Sequence, residues 1–176
     1  MLPYSAVFAL LLAFTAVAHD HPLYPWEITR LVVSGAPYRS EAACYDPLAT
    51  IAVEIRDPNR YAGVNSSGSD MTQCITKFPY CGPPYNTRFN CTAIPYGNWT
   101  FSVSPDEGPD KAYWNVGQNF TLSLRLAIWE RGIWFDGQAR FSTWESLRGL
   151  CSAGGACSFS LREEMAPFLV HQREHM

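Results

Sequence analysis

The stretch Asn119-Phe-Thr-Leu-Ser-Leu-Arg-Leu-Ala-Ile-Trp129 decides the fold class. Its apolar side chains fall at every second position, at Phe120, Leu122, Leu124, Leu126 and Ile128. A period of two is typical of a β-strand that buries one face. A strand cannot cover that face by itself, so the pattern predicts a second sheet or a closed barrel around a shared core.

The same alternation recurs on both sides of this stretch. It predicts strands over 26–33, 48–57, 98–104, 137–144 and 156–161, with weaker candidates near 73–76 and 87–92. A helical period is not visible, because Pro167 interrupts the one short helix that residues 161–175 could form. The prediction is therefore an all-β fold, an antiparallel sandwich or barrel of about 6–9 strands.

Composition sets limits on the class of protein. The 176 residues carry a formal net charge of −3, and 47% of them are hydrophobic. This argues against a disordered chain, and the absence of a basic cluster argues against nucleic-acid binding. The length suits one domain.

The N-terminus predicts export. Residues 6–18 form an apolar run that is shorter than the roughly 20 residues of a membrane-spanning helix. The run ends in Ala16-Val-Ala18, a small-x-small cleavage signal, so residues 1–18 read as a signal peptide. A buried terminal strand or helix is the alternative. We predict a secreted, extracellular domain over 19–161, a tail over 162–176, and no membrane span.

An even number of cysteines in an exported chain predicts disulfide bonds. Sequence alone leaves about 15 pairings open. Cys151 and Cys157 are the easiest local pair, because two glycines between them let the chain double back. For the others we predict Cys44–Cys91 and Cys74–Cys81. A zinc site is the alternative, but the chain has no C-x-x-C pair.

Four N-glycosylation sequons predict surface positions in a glycoprotein. They begin at Asn65, Asn90, Asn98 and Asn119.

After cleavage the chain would begin His19-Asp20-His21. A terminal amine, two backbone amides and the third-position imidazole can hold Cu²⁺ in a square plane. His19 and His21 are therefore candidate copper ligands, and copper is the one cofactor that the sequence suggests. The alternative is a frayed terminus.

Signatures of catalysis are missing from the sequence. It has no G-x-S-x-G elbow, and no histidine lies between His21 and His171. Carboxylates in polar turns are best interpreted as solvated surface charge. We therefore expect a protein that is not an enzyme.

Aromatic residues in two loop-like stretches, 58–97 and 104–118, are the candidate binding residues. Exposed aromatic rings give a large contact area at a low entropic cost, although core packing is the commoner role. The candidates are Tyr61, Tyr80, Tyr85 and Trp114, whereas Trp26 and Trp99 on alternating strands are expected in the core.

Several motifs in order resemble a known family. They are Trp26-x-Ile28-x-x-Leu31, a strand that ends in Asp57-Pro-Asn59, Trp99-Thr-Phe-Ser-Val103, Phe120-Thr-Leu-Ser-Leu124, and a cysteine pair before Phe159-Ser-Leu161. This order is similar to the fungal small secreted proteins of the Alternaria major-allergen-like β-barrel family. Its members include allergens, elicitors of plant immunity and candidate virulence effectors. The resemblance implies an extracellular, non-enzymatic β-domain that acts on host proteins or binds small ligands.

The first functional hypothesis is a secreted fungal effector- or elicitor-like protein that binds a host protein or small ligand through surface loops. A carbohydrate-binding module for cell-wall polysaccharide is the alternative, and it would need two or three coplanar aromatics on one face. A copper protein that uses His19 is the third.

Overall fold

The computed structural model describes residues 22–35, 48–61, 64, 66, 68, 70–79, 84–85, 87–105, 119–153 and 156–175. Within them lie eleven strands and no α-helix. The first six are β1 (Trp26–Gly35), β2 (Leu48–Asp57), β3 (Asp70–Pro79), β4 (Arg88–Asn90), β5 (Gly97–Pro105) and β6 (Phe120–Ile128). The others are β7 (Ile133–Phe141), β8 (Leu147–Cys151), β9 (Cys157–Leu161), β10 (Phe168–Val170) and β11 (Gln172–His175).

The strands form two antiparallel sheets. Sheet A has the order β3-β2-β1-β9-β8, and β10 also pairs with β1. Sheet B has the order β11-β7-β6-β5-β4. The prediction of an all-β antiparallel fold is confirmed, as a sandwich of two sheets and not a closed barrel.

The core lies between the two sheets. Alternate residues of β1 and β2 face alternate residues of β5, β6 and β7, and both Trp26 and Trp99 are buried as predicted. Gly137 in β7 permits this packing, because an added Cβ would lie 2.9 Å from Val170 Cγ1 and 3.0 Å from Trp26 Cζ3. Burial of these apolar surfaces is the main force that holds the sheets together.

Residues 168–175 join the two sheets, and we call them the C-terminal crossover. Trp26 of β1 pairs with Val170 of β10, and two residues later Gln172 of β11 pairs with Gly137 of β7. The sequence analysis predicted that residues 162–176 form a tail outside the domain. That prediction is wrong, because strands within 168–175 pair with β1 and β7. Strands of three and four residues are too short to show a period, and their pairing partners are distant in sequence.

Two disulfides lie within the described residues. Cys151 bonds to Cys157, as predicted. The other predicted pairings are wrong, because Cys74 bonds to Cys91. The backbone explains the choice: Thr92 N donates to Gln73 O at 2.8 Å, which holds residues 91–92 beside β3. Cys44 and Cys81 lie outside the described residues.

Candidate functional site

Several predicted site residues lie outside the described residues. These are the signal peptide 1–18, the copper candidates His19 and His21, the aromatics Tyr80 and Trp114, and the sequon at Asn65. In the part of the chain that the structure describes, no group of three His, Cys, Asp or Glu side chains could hold a metal ion.

Tyr61 is not available for surface binding, so its prediction as a loop contact is wrong. Only 2% of the residue is exposed, and its hydroxyl donates to Asp57 Oδ2 at 2.8 Å. Its ring also packs against Phe135. The hydrogen bond to a carboxylate at the end of β2 satisfies the hydroxyl, which permits burial. Tyr85 is partly buried against the core, and burial raises the pKa of its hydroxyl.

Asp57 is the centre of a buried polar network. Its Oδ1 accepts from the backbone N of Asn59 at 3.0 Å and from Asn59 Nδ2 at 2.8 Å. Asn59 in turn exchanges two hydrogen bonds with the backbone of Tyr24, at 2.8 and 2.9 Å. Burial raises the pKa of Asp57, and these hydrogen bonds oppose the rise.

This network positions the chain and does not form a reactive site. The Asp57 carboxylate accepts hydrogen bonds from Asn59 and Tyr61, and the residue is 1% exposed. Burial also raises the pKa of Tyr61, and the charge of Asp57 raises it further, because ionisation would place two negative charges together. Both groups therefore hold the end of β2 against the start of β1.

Two neighbouring register rows on the outer face of sheet A carry uncharged side chains on their three central strands. One register row across the sheet reads Ile75, Ala52, Val32, Ser160 and Arg148. The next row reads Lys77, Thr50, Ser34, Ser158 and Leu150. We call these two rows, with Leu48 beside them, the apolar face.

Large apolar side chains on this face are exposed. Leu150 is 85% exposed, Ile75 is 48% exposed and Leu48 is 46% exposed. Two shallow cavities of about 600 and 550 Å³ open on either side of Leu150. Within the two rows, the charged side chains are Lys77 and Arg148, at opposite edges of the sheet. The centre of the face therefore presents small apolar and hydroxyl side chains, with no charge to desolvate.

The outer face of sheet B carries a polar cluster around Asp136. Arg125 donates twice to Asp136, at 2.7 and 3.0 Å, and these bonds raise the pKa of the guanidinium. His175 Nε2 lies 3.4 Å from Asp136 Oδ2. The ring of Trp134 stacks on His175 with centres 5.7 Å apart, and Arg125 Cζ lies 5.8 Å from the centre of the Trp134 ring. This arrangement can hydrogen-bond a polar ligand and offers one aromatic surface.

The described sequons all lie on sheet B or at the start of one of its strands. Asn90 ends β4 and is exposed, Asn98 lies in β5, and Asn119 precedes β6. Asn98 Nδ2 lies 3.4 Å from Asn90 Oδ1.

Trp144 is the most exposed described tryptophan, at 83%. It sits in the turn between β7 and β8, where its N donates to Ser142 Oγ at 3.1 Å and its O accepts from Arg162 Nη2 at 3.0 Å. Trp129, 62% exposed, lies at the other end of β7. These two rings are therefore not neighbours on one face.

The sequence missed the apolar face. Leu150 belongs to β8, whose residues Leu-Arg-Gly-Leu-Cys do not alternate. One signal in the sequence could have indicated this face. Leu150 directly precedes Cys151, and the predicted pairing of Cys151 with Cys157 implies a hairpin there.

No described helix has the length and apolar character that crossing a membrane requires. Neither a protein-family model nor a curated protein or solved structure matches the chain.

Proposed function

We propose that this protein is a secreted, non-enzymatic interaction protein that binds an extracellular protein through the apolar face of sheet A. The observation that carries the proposal is the exposure of Leu150, 85%, between two cavities, on a face whose three central strands carry no charge in the two rows. Contiguous apolar surface with a polar rim is typical of protein interfaces.

The contrast between the sheets supports the choice of face. Sheet B presents the Arg125–Asp136 ion pair on its outer side, and such a pair costs free energy to desolvate. It also carries the described sequons, and glycans there would keep partners at a distance. On sheet A no described sequon lies near Leu150, although Arg148, two residues away on β8, pairs with Glu163 at 2.6 Å.

The family resemblance suggests where the partner comes from. Proteins similar to the Alternaria major allergen include elicitors and candidate effectors, so the partner would be a host protein and the source a fungus. Lys77 at one edge would favour a carboxylate at the rim of that partner.

Affinity capture from host extracellular fluid tests the proposal. The bait is the mature secreted protein, compared with Leu150→Ser and with Leu169→Ser as the matched control. Leu169 is also exposed on sheet A, at 50%, but it lies on β10 beside Glu27. We expect a partner that wild type and Leu169→Ser capture and that Leu150→Ser loses at least tenfold. Equal capture by all three would remove the apolar face from the proposal.

Binding to polysaccharide is the second candidate, and Trp134 favours it. An aromatic ring beside a bidentate Arg125–Asp136 pair resembles the mixture of stacking and hydrogen bonding that sugars need. Pull-down on chitin, cellulose and glucan with wild type and Trp134→Ala tests it. Retention that depends on Trp134 would favour this candidate over a protein partner.

A further inference from the structure

We propose that Asn90 and Asn98 form one coupled glycosylation site, which carries a single N-linked glycan on each secreted molecule. The proposal rests on the secretion that the proposed function includes. It does not depend on the apolar face or on any partner.

The two acceptors are diagonal neighbours on the same side of sheet B. Asn90 pairs in register with Thr100, and Asn98 lies two residues before Thr100 on β5. Residues two apart on a strand point to the same face, so both side chains stand on the outer side. The neighbouring strand supports this orientation, because Ala127 of β6 pairs in register with Asn98 and is also partly exposed.

The side chains are in contact. Asn98 Nδ2 lies 3.4 Å from Asn90 Oδ1, a long hydrogen bond between the two carboxamides that would carry the sugars. A first sugar ring is wider than this separation. Two such rings, each attached directly to one of these amides, would compete for the same space above β4 and β5.

The backbone leaves little room to separate them. The backbone of Cys91 donates to Trp99 O at 2.9 Å, and Cys91 is bonded to Cys74. The ring of Phe89 packs against that of Phe101 with centres 5.3 Å apart and planes tilted by 38°, which holds β4 onto β5 from the inner side. A chain modified at both positions must therefore break these contacts or crowd the sugars, and we infer that it folds poorly and is depleted from the secreted protein.

Peptide mapping of the secreted protein tests the inference directly. Trypsin cleaves after Arg88 and next after Lys111, so both acceptors lie on the single peptide 89–111. Asn119 lies on the following peptide, 112–125, and reports independently that the chain received glycans. Enzymatic deglycosylation in heavy-oxygen water would mark each acceptor that had carried a sugar.

Two matched variants then measure the coupling. Thr92→Ala removes the sequon of Asn90, and Thr100→Ala removes that of Asn98, while both carboxamides remain. We expect peptide 89–111 to carry one mark in wild type. We also expect the occupancy of each acceptor to rise, by about twofold if the two share the site equally, when the other sequon is removed.

Three results would overturn the proposal. They are a doubly marked peptide as a main secreted species, an occupancy of Asn98 that does not change in Thr92→Ala, and an unmarked peptide 89–111 beside a marked Asn119. The last result would leave secretion itself intact, so the two proposals fail separately.

Discussion

The indole rings of Trp26 and Trp99 meet edge to face across the sandwich, with their centres 4.5 Å apart. Trp26 comes from the first strand of sheet A and Trp99 from sheet B, and both are almost fully buried. This contact joins the two sheets through the largest side chains in the core. It is also next to Gly137, where the backbone of β7 comes close to the Trp26 ring.

Replacement of Trp26 by alanine tests the importance of this contact. We expect a loss of about 3–5 kcal/mol in the free energy of unfolding, because the change removes buried area and leaves a cavity. Chemical denaturation followed by circular dichroism measures it. Trp144→Ala is the control: that ring is 83% exposed, so its loss should change stability by less than about 0.5 kcal/mol. Equal effects would contradict this account of the core.

The buried carboxyl of Asp57 predicts a pH-dependent stability. Burial raises its pKa above the ordinary value of 3.8, so the protonated form favours the folded state. That contribution is complete below pH 3.8 and is lost as the pH rises through the folded pKa. Asn at this position cannot titrate.

We therefore expect wild type to lose stability relative to Asp57→Asn as the pH rises through this window. The difference should grow by at most about 1.4 kcal/mol for each pH unit. Urea denaturation of both proteins between pH 3 and 8 measures it, and other groups cancel in the comparison. A difference that stays constant, or that shrinks with rising pH, would show that Asp57 does not titrate as proposed.

The two described disulfides should differ in their effects. Cys74–Cys91 closes a separation of 17 residues and Cys151–Cys157 one of 6. In the chain-entropy account, loss of the first costs about 3 kcal/mol and loss of the second about 2 kcal/mol. Paired Cys→Ala variants and thermal melts measure both. Loss of Cys74–Cys91 should lower the free energy of unfolding by more than the chain-entropy account gives, because Cys74 is fully buried and its replacement also removes core contacts.

Gly137 should not tolerate a side chain. A Cβ there would lie 2.9 Å from Val170 Cγ1 and 3.0 Å from Trp26 Cζ3. We expect Gly137→Ala to destabilise the protein by about 1–3 kcal/mol through overpacking. Gly137→Ala combined with Val170→Ala should recover part of the loss, since the larger neighbour is removed. A double variant as unstable as the sum of both changes would argue against this contact.

The sequence predicted the long strands whose buried side chains are apolar, whereas β3, whose buried side chains include Thr72 and Thr76, was only a weak candidate near 73–76. β2 and β6 alternate for nine residues or more, and their positions follow from that pattern alone. β8 could not be found in this way, because Gly149 faces inward with no side chain and Leu150 faces outward. An added Cβ at Gly149 would lie 2.0 Å from Ser158 O, so this residue serves close strand pairing, which a one-dimensional pattern does not record.

The binding residues were harder to predict than the strands. Tyr61 follows a turn and reads as a loop residue, but its hydroxyl finds Asp57, and that bond allows the ring to enter the core. The partner of Cys74 also depends on which loop crosses β3, and this requires knowledge of both sheets. Both failures involve contacts between residues that only the folded chain brings together.

The C-terminal crossover has a consequence for how the molecule is made. A ribosome delivers the chain from its N-terminus, so the strands that tie sheet A to sheet B emerge after all nine of the others described here. Until residues 168–175 leave the ribosome, Trp26 lacks its strand partner Val170 and Gly137 lacks its strand partner Gln172. The edge where these strands join the two sheets is therefore unpaired in the nascent chain. Pairing of β10 with β1 and of β11 with β7 is therefore the last step in forming the two described sheets.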